Sequence, residues 1–187
     1  MKQRALVILH PGFEEMEAIA PIDLLARAGI EVVQASTEKT HLVEGRNGIT
    51  MQATHLLADV AAEDFDTVIL PGGPGIQKLR GDARLVDCLQ RNHREGKLIA
   101  CICAAPLLLL DAGLSQNIAY TAHPSTLEEL SAARDEAVVI EGNIITSRGA
   151  GTATEFALAL VEELCGQERA KEIADSICWS NSDSNND

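Results

Sequence analysis

Short apolar runs, each closed by proline, glycine or a small residue and followed by a helical stretch, recur along this chain and constrain its fold more than any other feature. Arg4 to Leu9 runs into Pro11-Gly12, and Asp66 to Leu70 into Pro71-Gly72-Gly73-Pro74-Gly75. Lys97 to Ile102 turns directly at Cys103 into a helix from Ala104 to Asp111. Runs of this kind, without polar alternation, suit strands covered on both faces. Strands alternating with helices predict parallel βαβ units, and so an α/β, flavodoxin-like three-layer sandwich with a mostly parallel sheet.

The remaining elements follow from the same pattern. A helix is expected after Gly12, with Glu14, Glu15 and Glu17 favouring its first turn and Gly29 its end; Pro21 predicts a kink or break inside it. Glu31 to Ser36 reads as a strand, and His41 to Met51, centred on Asn47-Gly48, as a peripheral β-hairpin. Ile76 to Glu95 reads as one helix. Ile118 to Thr121, Ala137 to Ile140 and Ile144 to Ser147 are expected as short strands around a helix near Thr126 to Ala133. Helices follow over Thr152 to Leu164 and Gln167 to Cys178. With 187 residues, 46% of them hydrophobic, a single domain over 1–179 can bury a sizeable core, and the polar segment 180–187 is expected to stay solvated.

Charge narrows the partners. A net charge of −13 repels phosphate backbones and anionic lipid, so neither nucleic acid nor a membrane surface is an expected partner. The longest apolar run, Leu98 to Leu110, is 13 residues and contains Pro106, short of the roughly 20 residues a bilayer requires. The five apolar residues after Arg4 are too few for a signal-peptide core. Five cysteines, odd in number and without paired zinc-type spacing, suit reduced thiols in a cytoplasm; no metal or nucleotide cofactor has a convincing motif.

In an open α/β sheet, ligands bind outside the carboxyl ends of the strands. Cys103 occupies such an end, on a sharp strand-to-helix corner where a helix N-terminus favours thiolate. The N–H groups of Ala104, Gly72 and Gly73 can converge there on one oxygen. A lone cysteine is more often packing than nucleophile, and only the corner sets this one apart. Glu17, one turn into the first helix, can reach the same edge; beside a thiolate it would be driven toward its protonated form and serve as acid or base. Glu14 and Glu15 read as ordinary helix N-terminal acids. His123 either orients substrate and relays a proton or is a satisfied structural histidine, and His10 beside Pro11 either shapes its loop or adds a polar group near the site. Cys101 reads as packing. Arg148 to Thr152 looks like an anion nest, a weak signal in a fold rich in such turns.

Taken in order, Ala5-Leu6-Val7-Ile8-Leu9, Gly12-Phe13-Glu14-Glu15-Met16-Glu17, Asp23 to Ile30, Leu70-Pro71-Gly72-Gly73, Ile102-Cys103-Ala104-Ala105-Pro106, His123-Pro124 and Thr146 to Thr152 resemble the ThiJ/PfpI superfamily. Their spacing is similar to the branch of the parkinsonism-associated protein deglycase, over about residues 4–175. The resemblance implies a homodimer, a reactive Cys103 with Glu17 as its carboxyl partner, a histidine at His123, and oxyanion donors at Gly73 and Ala104. It also implies a cofactor-independent glyoxalase or deglycase acting on methylglyoxal, glyoxal or early glycation adducts. The alternatives are an oxidative-stress sensor or chaperone working through oxidation of Cys103, and a binding subunit without turnover. The protease-like branch carries a histidine directly after its cysteine; Ala104 stands there here, which argues against a peptidase. The chain departs from the branch in a Pro74 to Gln77 loop one residue shorter, in Ala150 where proline is common, and in His10, which replaces a small residue.

Overall fold

A computed structural model describes residues 2–180, so the tail expected over 180–187 lies, apart from Ser180, outside the described residues. The strands are β1 (Arg4–Leu9), β2 (Glu31–Ser36), β3 (Leu42–Glu44), β4 (Thr50–Gln52), β5 (His55–Leu56), β6 (Thr67–Leu70), β7 (Leu98–Ile102), β8 (Val138–Glu141) and β9 (Ile144–Ser147). The helices are α1 (Glu15–Arg27), α2 (Leu57–Val60), α3 (Ile76–Leu79), α4 (Ala83–Arg94), α5 (Pro106–Asp111), α6 (Ala153–Cys165) and α7 (Gln167–Ser176). Seven strands form one sheet in the order β5-β2-β1-β6-β7-β9-β8, parallel except where β8 runs against β9.

Because successive side chains of a strand point to opposite faces, each central strand feeds two cores. Leu6, Ile8, Val68, Leu70, Ile99 and Cys101 pack with apolar residues of α2 to α5. Ala5, Val7, Leu9, Ile69, Ala100 and Ile102 pack with α1, α6 and α7. The three-layer α/β/α sandwich is therefore as expected from the continuous apolar strands. The order of strands reverses between β1 and β6, since β1 leads to β2 on one side and β6 to β7 on the other. Their loops diverge there and leave a crevice at the carboxyl edge.

Four local expectations are corrected. The helix expected over Ile76 to Glu95 is two helices, interrupted at Gly81, whose φ of +71° no helix continues through. Arg80, just before the break, is pinned outward by Asp111 (2.6 Å) and Glu129 (2.9 Å). Ile118 to Thr121 forms no strand, only a single bridge between Thr121 and Arg134, and in place of a helix over Thr126 to Ala133 stands one 3₁₀ turn at Pro124–Thr126. Side-chain bonding competes with regular structure in both stretches: Thr121 Oγ1 shares its proton between the carbonyls of Arg134 (2.8 Å) and Glu136 (2.9 Å), and Thr126 Oγ1 donates to His123 O (2.8 Å). Finally, of the kink or break expected at Pro21, the break does not occur: α1 is continuous from Glu15 to Arg27.

The β3–β4 hairpin stands apart from the main sheet. It is fastened to the start of α1. Gly12 N–H donates to Glu44 O (2.8 Å) and Arg46 N–H to Phe13 O (2.8 Å). The Glu15 carboxylate accepts both the backbone N–H (2.7 Å) and the side-chain Nδ2 (2.8 Å) of Asn47.

Candidate active site

Cys103 begins where β7 ends, and its backbone is left-handed, φ +64°, a conformation that costs a non-glycine residue energy and must be held by its surroundings. Two bonds hold it. Cys103 N–H donates to Ser147 O on β9 and Cys103 O accepts from His123 N–H, both at 2.9 Å. The side chain is thereby turned toward the loop after β6. That loop can approach only because Gly72 lacks a side chain: a Cβ there would stand 2.7 Å from Cys103 Cβ and 2.8 Å from Ala104 N. Gly73 is left-handed too, at φ +101°, and a Cβ on it would meet Gly12 O at 2.4 Å.

Glu17 comes from the first turn of α1 and is wholly buried. Glu14 caps that turn by accepting Glu17 N–H at 3.0 Å, so the acid that reads as ordinary from the sequence orients the helix carrying the important one. Glu17 Oε2 accepts Gly72 N–H at 2.8 Å. Its other oxygen, Oε1, has no full hydrogen bond, and the carboxyl interacts with the Cys103 thiol. Burial is the main cause that raises Glu17, to about 7; the Gly72 N–H, the Cys103 thiol and the Arg46 charge oppose it. A carboxyl that exchanges its proton near neutral pH is what acid–base work requires.

The thiolate expected from the helix N-terminus is opposed by what surrounds the sulfur. Burial first, and the Glu17 charge second, push the Cys103 thiol up to about 12, against the N–H groups of Gly73 and Ala104 that favour the anion. α5 is six residues long and begins only at Pro106, so its dipole is a minor influence. Through neutral pH the pair therefore passes from two protons to one, the first being lost at about 7. The other cysteines do not enter the site. Burial raises the thiols of Cys88 and Cys101, and Cys165 and Cys178 lie toward the C-terminus.

Cys103 and Ala104 open onto a cavity of about 400 Å³ that is shared with Gly73, Gln77, His123 and Arg46. His123 Nδ1 accepts the Ser125 N–H (3.2 Å) and lies 2.8 Å from Ser125 Oγ. The shortened loop, Pro74 to Gln77, forms part of the wall. Arg46 was missed in the sequence; its only signal is a lone basic residue beside the Asn47-Gly48 turn. A larger open groove, about 660 Å³, lies between β8, α6 and α7, but it contains no cysteine or histidine. Gly149 and Thr152 lie instead beside His123 in a shallow depression of about 410 Å³. Among the described residues no cluster of three or more His, Cys, Asp or Glu could hold a metal, and no helix is long and apolar enough to cross a membrane.

Residues 3–163 match the profile of the DJ-1/PfpI family. Over 182 residues the chain is 43% identical to protein dj-1beta of Drosophila melanogaster, covering 95% of this chain and 97% of that one. It is 36% identical to the glutathione-independent glyoxalase DJR-1.2 of Caenorhabditis elegans, over 95% of this chain and 97% of the relative. The oxidized DJ-1 of Toxoplasma gondii superposes with a TM-score of 0.91 at 37% identity, over 96% of this chain and all of that one.

Proposed function

The chain belongs to the DJ-1/PfpI family, and we propose that it is a cofactor-independent glyoxalase that isomerises methylglyoxal or glyoxal through Cys103, with early glycation adducts as related substrates. One observation carries this reading: a buried carboxyl, tied to Gly72 and exchanging its proton near neutral pH, faces the thiol that lines the cavity.

Sulfur adds to the aldehyde carbon of the 2-oxoaldehyde as the thiol proton passes to the Glu17 carboxylate, so no free thiolate need be present at rest. The oxygen of the resulting hemithioacetal gains negative charge beside the N–H groups of Gly73 and Ala104, which already face the sulfur. Glu17 protonates that oxygen, then moves the hydrogen of the same carbon to the neighbouring carbonyl oxygen, giving an enediol. The first hydroxyl then gives up its proton to Glu17 as a proton is delivered to the neighbouring carbon, with His123 assisting, and a 2-hydroxy thioester is left. Water cleaves it to lactate, or to glycolate from glyoxal, and regenerates the thiol. No electrons leave the substrate. Ala104 supplies no imidazole beside the sulfur, so a peptidase is not proposed.

Lactate production from methylglyoxal by purified protein tests the reading. Cys103→Ser should remove it; full turnover in that variant would sink the proposal.

A second reading is supported by the same carboxyl. Peroxide would oxidise Cys103 in two steps to sulfinate, each consuming one peroxide, and protonated Glu17 would donate to a sulfinate oxygen. Two added oxygens on Cys103 after mild peroxide, without lactate-forming turnover, would favour the sensor.

A further inference from the structure

His10 sits at the end of β1 with its imidazole 1% exposed, and both ring nitrogens face carbonyl oxygens. Nε2 lies 3.2 Å from Pro71 O and Nδ1 lies 3.3 Å from Pro11 O. A neutral ring has one N–H and can serve only one of them. Pro71 O is buried and no other hydrogen bond reaches it among the described residues; its contact with Nε2 is the shorter of the two and fully buried, whereas the contact of Nδ1 with Pro11 O is only partly buried. The proton therefore belongs on Nε2, since a buried carbonyl without a donor is costly.

Pro71 C=O and Gly72 N–H are the two ends of one peptide group. The N–H end donates to Glu17 Oε2 at 2.8 Å. We propose that His10 is a positioning residue of the Cys103–Glu17 pair, holding and polarising through Nε2–H the peptide group whose opposite end binds the Glu17 carboxyl. Donation to the carbonyl draws electron density from the peptide nitrogen and makes its N–H a stronger donor, as in any chain of hydrogen bonds. The ring is also penned in place: a Cβ on Gly75 would come within 2.5 Å of Nδ1. This role rests on the reading of Cys103 and Glu17 given above, and goes beyond it by adding a residue that touches neither.

The charged groups around this chain of contacts are few. Glu17 faces Cys103 from the corner after β7, Glu14 from its own helix and Arg46 from the hairpin. His10 borders a cavity of about 320 Å³ with Glu38, Lys78, Asp82 and Arg84. Burial lowers the imidazole's basicity, which keeps the ring neutral where the Glu17 carboxyl exchanges its proton.

The test reads the charge of the pair without needing turnover. The rate at which iodoacetamide alkylates Cys103 is followed by mass spectrometry of its peptide between pH 6 and 9. The unmodified protein should show a step near pH 7, where the pair loses its first proton. In His10→Leu the step should move up by about half a pH unit or more, because the carboxylate loses support from Gly72. His10→Gln, which keeps a side-chain donor, should return it most of the way. A folded Leu variant with an unmoved step, or a Gln variant shifted as far as Leu, would overturn the proposal. Long-range ¹H–¹⁵N spectra of the unmodified protein give an independent check, whether or not the Leu variant folds: an Nδ1-protonated His10 would overturn it as well. A profile without any step would remove the pair itself, and this role with it, even if lactate were formed.

Discussion

Gly72 and Glu17 are separated by 55 residues, yet the backbone N–H of one lies 2.8 Å from a carboxyl oxygen of the other. This bond, with the one that Glu14 N–H donates to Gly72 O at 3.1 Å, ties the start of α1 to the loop after β6, across the point where the strand order reverses. It leaves one carboxyl oxygen, Oε1, for the sulfur side of the site. It also explains why burial does not raise Glu17 further, since the same N–H favours the charged form.

Glu17→Gln should change stability in a pH-dependent way. In the folded chain Glu17 exchanges its proton at about 7, raised from the 4.5 of an unburied carboxyl. Between those values the native state holds a proton that the unfolded state has released, so the contribution of Glu17 to stability is complete below pH 4.5 and is lost as pH rises through about 7. The lost amount corresponds to ~3 kcal/mol. Gln carries no charge at any pH. Relative to the unmodified protein, the variant should therefore gain stability on going from pH 5 to pH 8, measured by urea unfolding, while losing lactate formation. A difference that is the same at both pH values would contradict the burial argument.

Lactate formation should itself rise with pH through about 7, as the Glu17 carboxylate becomes available to take the thiol proton. The limb should vanish in Glu17→Gln along with most of the rate. A rate that rises only above pH 8 would show that ionisation of a free thiol, rather than transfer to Glu17, prepares the nucleophile.

How much of this was legible in the sequence depended on distance along the chain. The sheet was, because runs such as Ala5 to Leu9 and Thr67 to Leu70 have no polar face and must lie between two helical layers. Cys103 was, because a strand running straight into a helix leaves its junction residue on a corner. The acidity of Cys103 was not: it depends on burial and on a charge brought from residue 17, neither of which spacing reveals. Nor was the contribution of Glu15, whose partner Asn47 is 32 residues away. Gly81 and Thr121 hid the break in Ile76 to Glu95 and the irregular path after Ile118, since each acts through one conformation or one hydroxyl.

Gly72→Ala should be far more damaging than its size suggests. The added methyl would lie within 3 Å of both Cys103 Cβ and Ala104 N, backbone and junction atoms with no room to give. Overpacking of this kind costs ~1–3 kcal/mol, and the shift it forces falls on the corner itself. Lactate formation should drop by roughly a hundredfold or more, since sub-ångström placement of reacting groups is at stake. Unchanged kcat with intact folding would mean that the close approach of the two loops is not needed.

Glu15→Ala should release the hairpin without touching the sulfur. It removes the acceptor for two Asn47 donors, at 2.7 and 2.8 Å, in a partly buried setting. A loss of ~1–3 kcal/mol is expected, with faster amide exchange over residues 42–52. Because Arg46 lines the cavity, KM for methylglyoxal should rise more than kcat falls. Equal amide exchange in variant and parent would show that the hairpin is held by its backbone bonds to Gly12 and Phe13 alone.

The same hairpin and helix carry exposed apolar side chains, and the homodimer expected from the resemblance predicts that a second copy of this chain covers them. Met16 and Ile19 on α1 are 58% and 44% exposed, and Ile49 at the hairpin tip is 53% exposed. The Glu15–Asn47 bonds place the two elements side by side. Large exposed apolar side chains that lie close together mark association surfaces, so these are the side chains on which the expected homodimer is tested. Sedimentation should give twice the chain mass for the unmodified protein. Ile49→Asp, which would bury a charge between the copies, should shift it toward the monomer by at least tenfold in dissociation constant. A monomer in the unmodified protein, or a variant dimer of undiminished affinity, would place the contact elsewhere or remove it.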